Sequence, residues 1–217
     1  MKRIGHKGAD SIEPGNTTES FDAALKCGVD LIEFDVLCWD GELVIAHDPH
    51  DAQVRDTLTL AEALDHLGRP EFANVGLDVD MKHPGFEDEL VAALDARGLA
   101  NRTLVTTMHY LSLAHVRRLS SEVTCGLTIP LVHRDWTKAA KPVQLLVSLM
   151  ILGHRRYQPW RVARHLRAGE IDAVMAFHAL VTPRLVRKVH EAGGELYCWT
   201  IDDAKTITRM AKLGVDG

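Results

Sequence analysis

Short runs of apolar and β-branched residues alternate with segments of helical spacing along the whole chain. The apolar runs, bounded by turn residues, predict strands at 3–6, 31–36, 43–47, 76–82, 103–107, 124–128, 172–175 and 195–200. Apolar residues three and four positions apart predict helices at 18–27, 60–67, 86–97, 111–119, 161–168, 183–192 and 204–213. This alternation indicates an α/β fold with a parallel sheet and crossover helices.

The strand predicted at 43–47 differs from the others, because only the turn "WDGE" separates it from the strand at 31–36. We therefore expect these two strands to form a hairpin. The seven remaining strand units are one short of a TIM (β/α)8-type barrel. Since "LGVDG" at 213–217 resembles the turn before a further strand, we expect the last strand and helix to be missing or truncated at the C-terminus. No linker divides residues 1–217, which predicts a single domain.

The composition is that of a soluble globular protein, with 46% hydrophobic and 25% charged residues. A formal net charge of −5 argues against nucleic acid as the main partner. The four cysteines form no CxxC pair, which favours reduced thiols over a zinc site or disulfides. No signal peptide is recognisable, and the longest apolar run, at 143–153, is too short to span a bilayer. We therefore expect a cytoplasmic protein.

Ionisable residues collect at the carboxyl ends of the first four predicted strands. In a β/α barrel these ends share one rim, where catalytic sites are built. Glu33 and Asp35 point to the same side of their strand, so their carboxylates repel each other unless a positive charge lies between them. Taken singly, a histidine near a strand end is commonly structural, and Asp80 with Lys82 also fits an ordinary ion pair. The full set is His6, Lys7, Glu33, Asp35, His47, Asp48, Asp80 and Lys82.

The residue types in this set favour phosphoryl chemistry. Three acids without cysteine suit a hard divalent cation, Mg²⁺ or Ca²⁺, better than zinc. Histidines that are not metal ligands can transfer protons near neutral pH. Lysines beside a metal would face an anionic substrate. Together these groups are typical of a site that binds and cleaves a phosphate ester.

Several motifs of the chain resemble those of the glycerophosphodiester phosphodiesterase family, TIM-barrel enzymes that include lysophospholipase D-type members. They are "HKG" at 6–8, "PGNTTESF" at 14–21, "GVDLIEFDV" at 28–36, "DG" at 40–41, "HD" at 47–48, "LDVDMK" at 77–82, "WTIDD" at 199–203 and "LGVDG" at 213–217. The match is dense over residues 1–82, sparse from about 108 to 190, and clear again near the end.

The resemblance implies an activity and a role for each matching residue. The activity is cleavage of a glycerophosphodiester to glycerol phosphate and an alcohol. His6 and His47 match the acid/base pair, and Asn16 and Asp48 match residues that hold loops. The residues that match the ligands of a divalent metal ion, Mg²⁺ or Ca²⁺, are Glu33, Asp35 and Asp80. Those that match substrate-binding groups are Lys7, Lys82 and Trp199.

Three positions depart from the family pattern. Lys7 replaces an arginine and Asp80 a glutamate, and Gly15 replaces the glutamate of Pro-Glu-Asn-Thr. These changes preserve the charge at position 7 and a carboxylate at position 80, but they alter reach and geometry. A homologue that binds a metal and a phosphodiester without turnover is therefore an alternative, as is a phosphoinositide-cleaving barrel.

Two segments bear on the choice of substrate. Only a small insertion, between about 48 and 75, lies between His47 and Asp80, which leaves room for a lysophospholipid. The segment 143–167 joins an apolar run to arginines and Trp160, a composition typical of peripheral membrane contact. A buried crossover helix with a solvated basic face is the alternative interpretation of that segment.

Overall fold

A computed structural model describes residues 1–131 and 141–217, with no side chain described from 141 to 148. The strands are β1 (Ile4–Gly5), β2 (Leu31–Trp39), β3 (Glu42–Val44), β4 (Gly76–Met81), β5 (Thr103–Thr107), β6 (Thr124–Ile129), β7 (Ala173–Phe177) and β8 (Glu195–Trp199). The helices are α1 (Thr18–Cys27), α2 (Pro49–Val54), α3 (Leu60–Leu67), α4 (Glu87–Asp95), α5 (Tyr110–Leu119), α6 (Lys141–Arg167), α7 (Pro183–His190) and α8 (Ala204–Leu213). The predicted alternation of strands and helices is confirmed.

The chain divides into two compact parts, Lys2–Gly126 and Leu127–Gly217. In the first part, β2 pairs in parallel with β1 and β4, and β4 pairs in parallel with β5. β3 pairs antiparallel with β2, which confirms the predicted hairpin. Its turn consists of Asp40 and Gly41 at φ 50° and 82°, the left-handed conformation that two-residue hairpin turns require.

The β2–β4 ladder sets the position of the acids. Asp35 lies opposite Asp80, and Glu33 lies opposite Asp78. The residues between these acids, among them Phe34 and Val79, are fully buried and point to the other side of the sheet. On that side the Phe21 ring of α1 packs on Phe34, with ring centroids 5.7 Å apart. Alternation along the strands thus separates an apolar face from an acidic one.

In the second part, β7 and β8 pair in parallel, with Phe177 opposite Trp199. Helix α7 begins as predicted: the Thr182 hydroxyl accepts a hydrogen bond from the Leu185 amide, and Pro183 is the first helical residue. Beside β8, the Asp216 amide donates to the Leu196 carbonyl. The described parts of the chain contain no helix with the length and apolar character needed to cross a membrane.

The clearest differences between the predicted and the observed elements lie at α6, α2, β1 and β3. Helix α6 is much longer than the predicted 161–168, and α2 was not predicted. Strand β1 stops at Gly5 and β3 at Val44, so His6 and His47 lie in loops rather than at strand ends. The cause at β1 is a sharp bend, with Lys7 and Gly8 at positive φ, which no apolar pattern reveals. That residues 1–217 form a single domain stays a prediction.

Candidate active site

Three carboxylates converge in the first part of the chain. Glu33 and Asp35 project from β2 and Asp80 from β4, and one oxygen of each lies within 4.8 Å of those of the other two. The parallel register brings Asp80 beside Asp35, while the two-residue spacing along β2 adds Glu33. The acids predicted to share a face therefore form one cluster, which we call the acid cluster.

Lysines supply the positive charge that this cluster needs. Lys82 Nζ lies 2.5 Å from Asp35 Oδ1 and 2.6 Å from Asp80 Oδ2, so one ammonium group bridges two strands. Lys7 Nζ lies 3.7 Å from Asp35 Oδ2. Both lysines predicted to bind substrate thus lie beside the predicted metal ligands.

Asp35 is the best satisfied of the three acids. Its side chain is 1% exposed, and its Oδ2 accepts a hydrogen bond of 2.9 Å from Asn16 Nδ2. In return, the Asp35 amide donates to Asn16 Oδ1 at 3.2 Å. Burial favours the neutral acid, but the charge and hydrogen bond of Lys82, with Lys7 and Asn16, outweigh it and hold the pKa of Asp35 at about 2.

Glu33 and Asp80 remain short of positive charge. Burial, and then repulsion by Asp35, raise the pKa of Glu33 well above its ordinary value. Burial also raises the pKa of Asp80. The charge of Lys82 and, more weakly, that of a protonated His47 lower this pKa, but they offset only part of the effect of burial. Two ammonium groups facing three carboxylates leave the acid cluster one positive charge short of neutrality.

The loop after β1 is fixed by backbone contacts to β2. The Lys7 amide donates to Glu33 Oε2 at 2.7 Å, and the Gly8 amide donates to the Glu33 carbonyl at 3.0 Å. Lys7 has φ 51°, which few residues other than glycine adopt. A Cβ at Gly8 would lie 2.4 Å from Ser20 Oγ, so glycine is required there. These constraints explain the "HKG" motif locally.

Each predicted catalytic histidine has an aspartate at Nδ1. His6 Nδ1 lies 3.0 Å from Asp10 Oδ2, and His47 Nδ1 lies 3.1 Å from Asp48 Oδ2. Hydrogen bonds from the Asp51 amide and from His47 lower the pKa of Asp48, so this side chain is ionised and Nδ1 of His47 donates. Such a contact fixes the tautomer and leaves Nε2 for proton transfer.

Sequence reasoning missed the residues that join the two histidine loops. Asp51 Oδ2 accepts from the His47 amide at 3.0 Å and from Arg55 at 2.9 Å. Arg55 also donates to the Gly15 carbonyl at 3.1 Å, in the loop that follows His6. A Cβ at Gly15 would lie 2.8 Å from the Cβ of Asp10, the partner of His6. The departure at position 15 therefore coincides with close packing beside His6.

Asp78 is a further acid that sequence reasoning missed. It is buried opposite Glu33, two positions before Asp80, and its Oδ1 accepts a hydrogen bond of 2.8 Å from Thr106 Oγ1. Burial raises the pKa of Asp78 to about 7, although the Thr106 hydrogen bond opposes the change. Its two-residue spacing from Asp80 in "LDVDMK" was the available signal.

Trp199 belongs to the second part of the chain, at the carboxyl end of β8. Its indole Nε1 donates to the Met175 carbonyl at 3.1 Å, and its ring packs against Phe177 with centroids 5.4 Å apart. Both contacts hold the ring rigidly at the end of the β7–β8 pair. An immobilised aromatic surface of this kind is suited to packing against an apolar or polyol group.

Solved structures share the fold. A putative glycerophosphoryl diester phosphodiesterase from Silicibacter pomeroyi superposes with a TM-score of 0.75 at 21% identity, covering 100% of this chain and 88% of that one. A phosphodiesterase from Oleispira antarctica, in complex with the product sn-glycerol-3-phosphate, gives a TM-score of 0.67 at 19% identity, covering 100% of this chain and 91% of that one. The chain is thus an α/β protein of the TIM-barrel class, as predicted.

The sequence comparisons define the family. A glycerophosphodiester phosphodiesterase of Caldanaerobacter subterraneus subsp. tengcongensis is 25% identical, over 99% of this chain and 91% of its own length. A probable glycerophosphodiester phosphodiesterase of Mycobacterium tuberculosis is 28% identical, over 99% and 84%. The model of the glycerophosphoryl diester phosphodiesterase family matches residues 6–83 and 58–217. The chain belongs to this family and is a phosphoric diester hydrolase.

Proposed function

We propose that the chain hydrolyses glycerophosphodiesters to glycerol phosphate and an alcohol, with a divalent metal ion held by Glu33, Asp35 and Asp80. The observation that carries this proposal is the convergence of three carboxylate oxygens within 4.8 Å of one another. Oxygen donors in this number suit Mg²⁺ or Ca²⁺. Burial, and then Asp35, raise the pKa of Glu33, so its carboxylate lacks a compensating positive charge. A bound cation would supply that charge and favour the ionised form of Glu33.

The metal ion, when bound, would act as a Lewis acid on a phosphoryl oxygen and offset the charge that develops there. Lys7 and Lys82 lie at the edge of the acid cluster, with side chains 22% and 21% exposed. We propose that their ammonium groups bind the other phosphate oxygens. Lys82 also joins Asp35 to Asp80.

His6 and His47 divide the proton transfers between them. One removes a proton from the attacking hydroxyl, which belongs to water or to the glycerol part of the substrate, and the other protonates the departing alcohol oxygen. Asp10 and Asp48 support this role, because each occupies Nδ1 of its histidine and leaves Nε2 to act. Trp199 is proposed to pack against the alcohol or glycerol part of the substrate.

The direct test is an assay with glycerophosphocholine in Mg²⁺ or Ca²⁺, with and without EDTA. We expect release of choline or glycerol phosphate that EDTA abolishes and that excess metal restores. The matched variants are Asp80→Asn, which removes a proposed ligand, and Glu71→Gln, which removes an exposed carboxylate elsewhere. Equal rates in EDTA, or full activity of Asp80→Asn, would contradict metal dependence. Binding without product in either metal would favour the non-catalytic alternative.

A lysophospholipid is the second candidate substrate. The observation that favours it is the small size of the insertion between His47 and Asp80, which leaves room for a lipid chain. Lysophosphatidylcholine and glycerophosphoinositol belong in the same assay, the latter for the phosphoinositide alternative. A kcat/KM for lysophosphatidylcholine above that for glycerophosphocholine would establish the lipid as the preferred substrate.

A further inference from the structure

Helices α6 and α7 concentrate positive charge in a chain that is acidic overall. They carry nine of the 25 lysines and arginines and none of the 30 aspartates and glutamates. The two helices pack against each other, with Arg184 and Lys188 of α7 lying 5.6 and 5.0 Å from the centre of the Trp160 ring of α6. A cationic surface on a chain of net charge −5 is suited to an anionic partner.

The same surface exposes large apolar side chains. Leu149, Leu152 and Trp160 of α6 are each more than half exposed, and so are Met150 and Tyr157. Leu149, Leu152, Arg156 and Trp160 recur at three- and four-residue spacing and so lie on one face of the helix. The segment 143–167, predicted for peripheral membrane contact, lies within helix α6, and its side chains from 143 to 148 lie outside the described residues.

Among the described side chains of α6, the alternative of a buried crossover helix holds for the end of the helix, where Val162, Ala163 and Leu166 are buried. Before that end, a cavity of about 370 Å³ opens among Gly153, Arg156, Tyr157, Trp160 and Arg184. A Cβ at Gly153 would meet nothing within 4 Å, so the space beside this residue is open. Two guanidinium groups beside two aromatic rings form a site suited to a phosphate group.

We propose that this surface of α6 and α7, here called the basic–apolar face, docks on membranes that contain anionic phospholipids. Leu149, Met150 and Leu152 enter the boundary of the acyl chains, and Tyr157 and Trp160 lie at the level of the headgroups. Arg156 and Arg184 bind a lipid phosphate in the cavity between them. The proposal stands apart from the hydrolase function, because none of these residues belongs to the acid cluster.

Two other occupants fit the face less well. A nucleic acid would match the arginines but would leave Leu149, Met150 and Leu152 without apolar contact. A second copy of the chain would bring the cations of both faces together, and Glu191, which follows α7, already pairs with Arg187 and Lys188 of its own chain. An anionic membrane satisfies both the charge and the apolar side chains.

Arg155, although equally basic, is less suited than Arg156 to bind lipid. Its Nε already donates to the Ala179 carbonyl at 2.8 Å. The informative charge reversal is therefore Arg156→Glu with Arg184→Glu, at the cavity. Its matched control is Lys26→Glu with Lys205→Glu, which alters the net charge equally at two exposed positions on α1 and α8.

The test is co-sedimentation of the full chain with vesicles of phosphatidylcholine alone, or of phosphatidylcholine and phosphatidylglycerol in equal parts. We expect binding to the anionic vesicles only, weakened by salt. The Arg156/Arg184 variant should bind about tenfold or more weakly, and the Lys26/Lys205 variant within about twofold of wild type. Leu149→Gln with Leu152→Gln should also weaken binding severalfold, unlike Leu111→Gln with Ile207→Gln, two other exposed apolar positions.

Three outcomes would overturn the proposal. The first is equal vesicle binding by the Arg156/Arg184 variant and its lysine control. The second is tight binding of duplex DNA that depends on Arg156 and Arg184, without binding to anionic vesicles. The third is a stable dimer in light scattering that the Leu149/Leu152 variant dissociates. Activity on glycerophosphocholine serves to show that each variant is folded, since these residues lie outside the proposed catalytic groups.

Discussion

Lys82 Nζ lies 2.5 Å from Oδ1 of Asp35, a residue on the neighbouring strand. The same ammonium lies 2.6 Å from Asp80, so it offsets the repulsion between the carboxylates of β2 and β4. Burial lowers the pKa of Lys82, but the three acids raise it by more. The Lys82 ammonium therefore stays charged at any ordinary pH. This internal cation reduces the cost of burying the two carboxylates.

The first prediction concerns Lys82→Met. Without its ammonium, Asp35 and Asp80 repel each other in a poorly solvated site, and we expect the free energy of unfolding in EDTA to fall by about 2–4 kcal/mol. Mg²⁺ or Ca²⁺ should restore more stability to this variant than to wild type. Urea unfolding with and without metal measures both effects. Lys26→Met, at an exposed position of α1, should change stability by less than about 0.5 kcal/mol. Equal stability of Lys82→Met and wild type in EDTA would contradict the role of Lys82 in offsetting the repulsion between Asp35 and Asp80.

A second prediction follows from Asp78. Its pKa is about 7 in the folded protein because of burial, against an ordinary value of 3.8. When folding raises the pKa of a carboxyl group, the free energy of unfolding falls as the pH increases from the unfolded-state pKa to the folded-state pKa. The reason is that the group ionises more readily in the unfolded chain. Asp78→Asn should therefore match wild type near pH 4 and exceed it by about 2–4 kcal/mol at pH 8 in EDTA. Asparagine can still accept the Thr106 hydrogen bond. A gain that is independent of pH would refute the assignment.

Asn16 has two structural roles, its left-handed backbone conformation and its hydrogen bonds with Asp35, and different substitutions separate them. It adopts φ 62°, and it exchanges two hydrogen bonds with Asp35. Asn16→Gly keeps the backbone conformation and loses only the bonds, which should cost about 1–3 kcal/mol. Asn16→Ala adds backbone strain of about 1 kcal/mol. Chemical denaturation of both variants measures the difference, and an alanine variant more stable than the glycine variant would show that the left-handed conformation imposes no cost.

The proposed proton transfers predict large losses of activity. His6→Ala and His47→Ala should each lower kcat on glycerophosphocholine by about 10²–10⁴, because each removes one proton transfer. His50→Ala is the matched control, since His50 is an exposed histidine on α2 next to the same loop. Loss of one limb of the pH–rate profile in each histidine variant would identify which acts as base. Activity within tenfold of wild type in either variant would exclude that residue from proton transfer.

Trp199 should affect substrate binding rather than chemistry. If its ring packs against the alcohol or glycerol part of the substrate, Trp199→Ala should raise KM severalfold with little change in kcat. Trp199→Phe should recover most of the affinity, as it keeps an aromatic ring against Phe177. Trp39→Ala, at the end of β2, is the control. A fall in kcat with KM unchanged would indicate a different role for Trp199.

Much of the fold was predictable because its signals are local. Alternation in β2 and β4 assigned the acids to one face, and apolar spacing predicted the starts of α1 and α7 at residues 18 and 183. The bounds of α1 and β5 were predicted correctly. Helix α6 was underestimated, because its apolar residues recur on no single face of the whole 27-residue helix and are partly exposed. Helix α2 is short, and its N-cap residue is Asp48. The Asp48 side chain also contacts the His47 ring.

The sequence by itself determined which residues are candidates for the chemistry, because charge, spacing along a strand and motif order are properties of the chain. Only the tertiary structure decided how those charges are balanced. It brought Lys82 between Asp35 and Asp80, tied Arg55 to the Gly15 loop, and buried Asp78 against Thr106. These are contacts between segments distant in the sequence, and their energies depend on burial and on distances of a few ångströms, which no local pattern encodes.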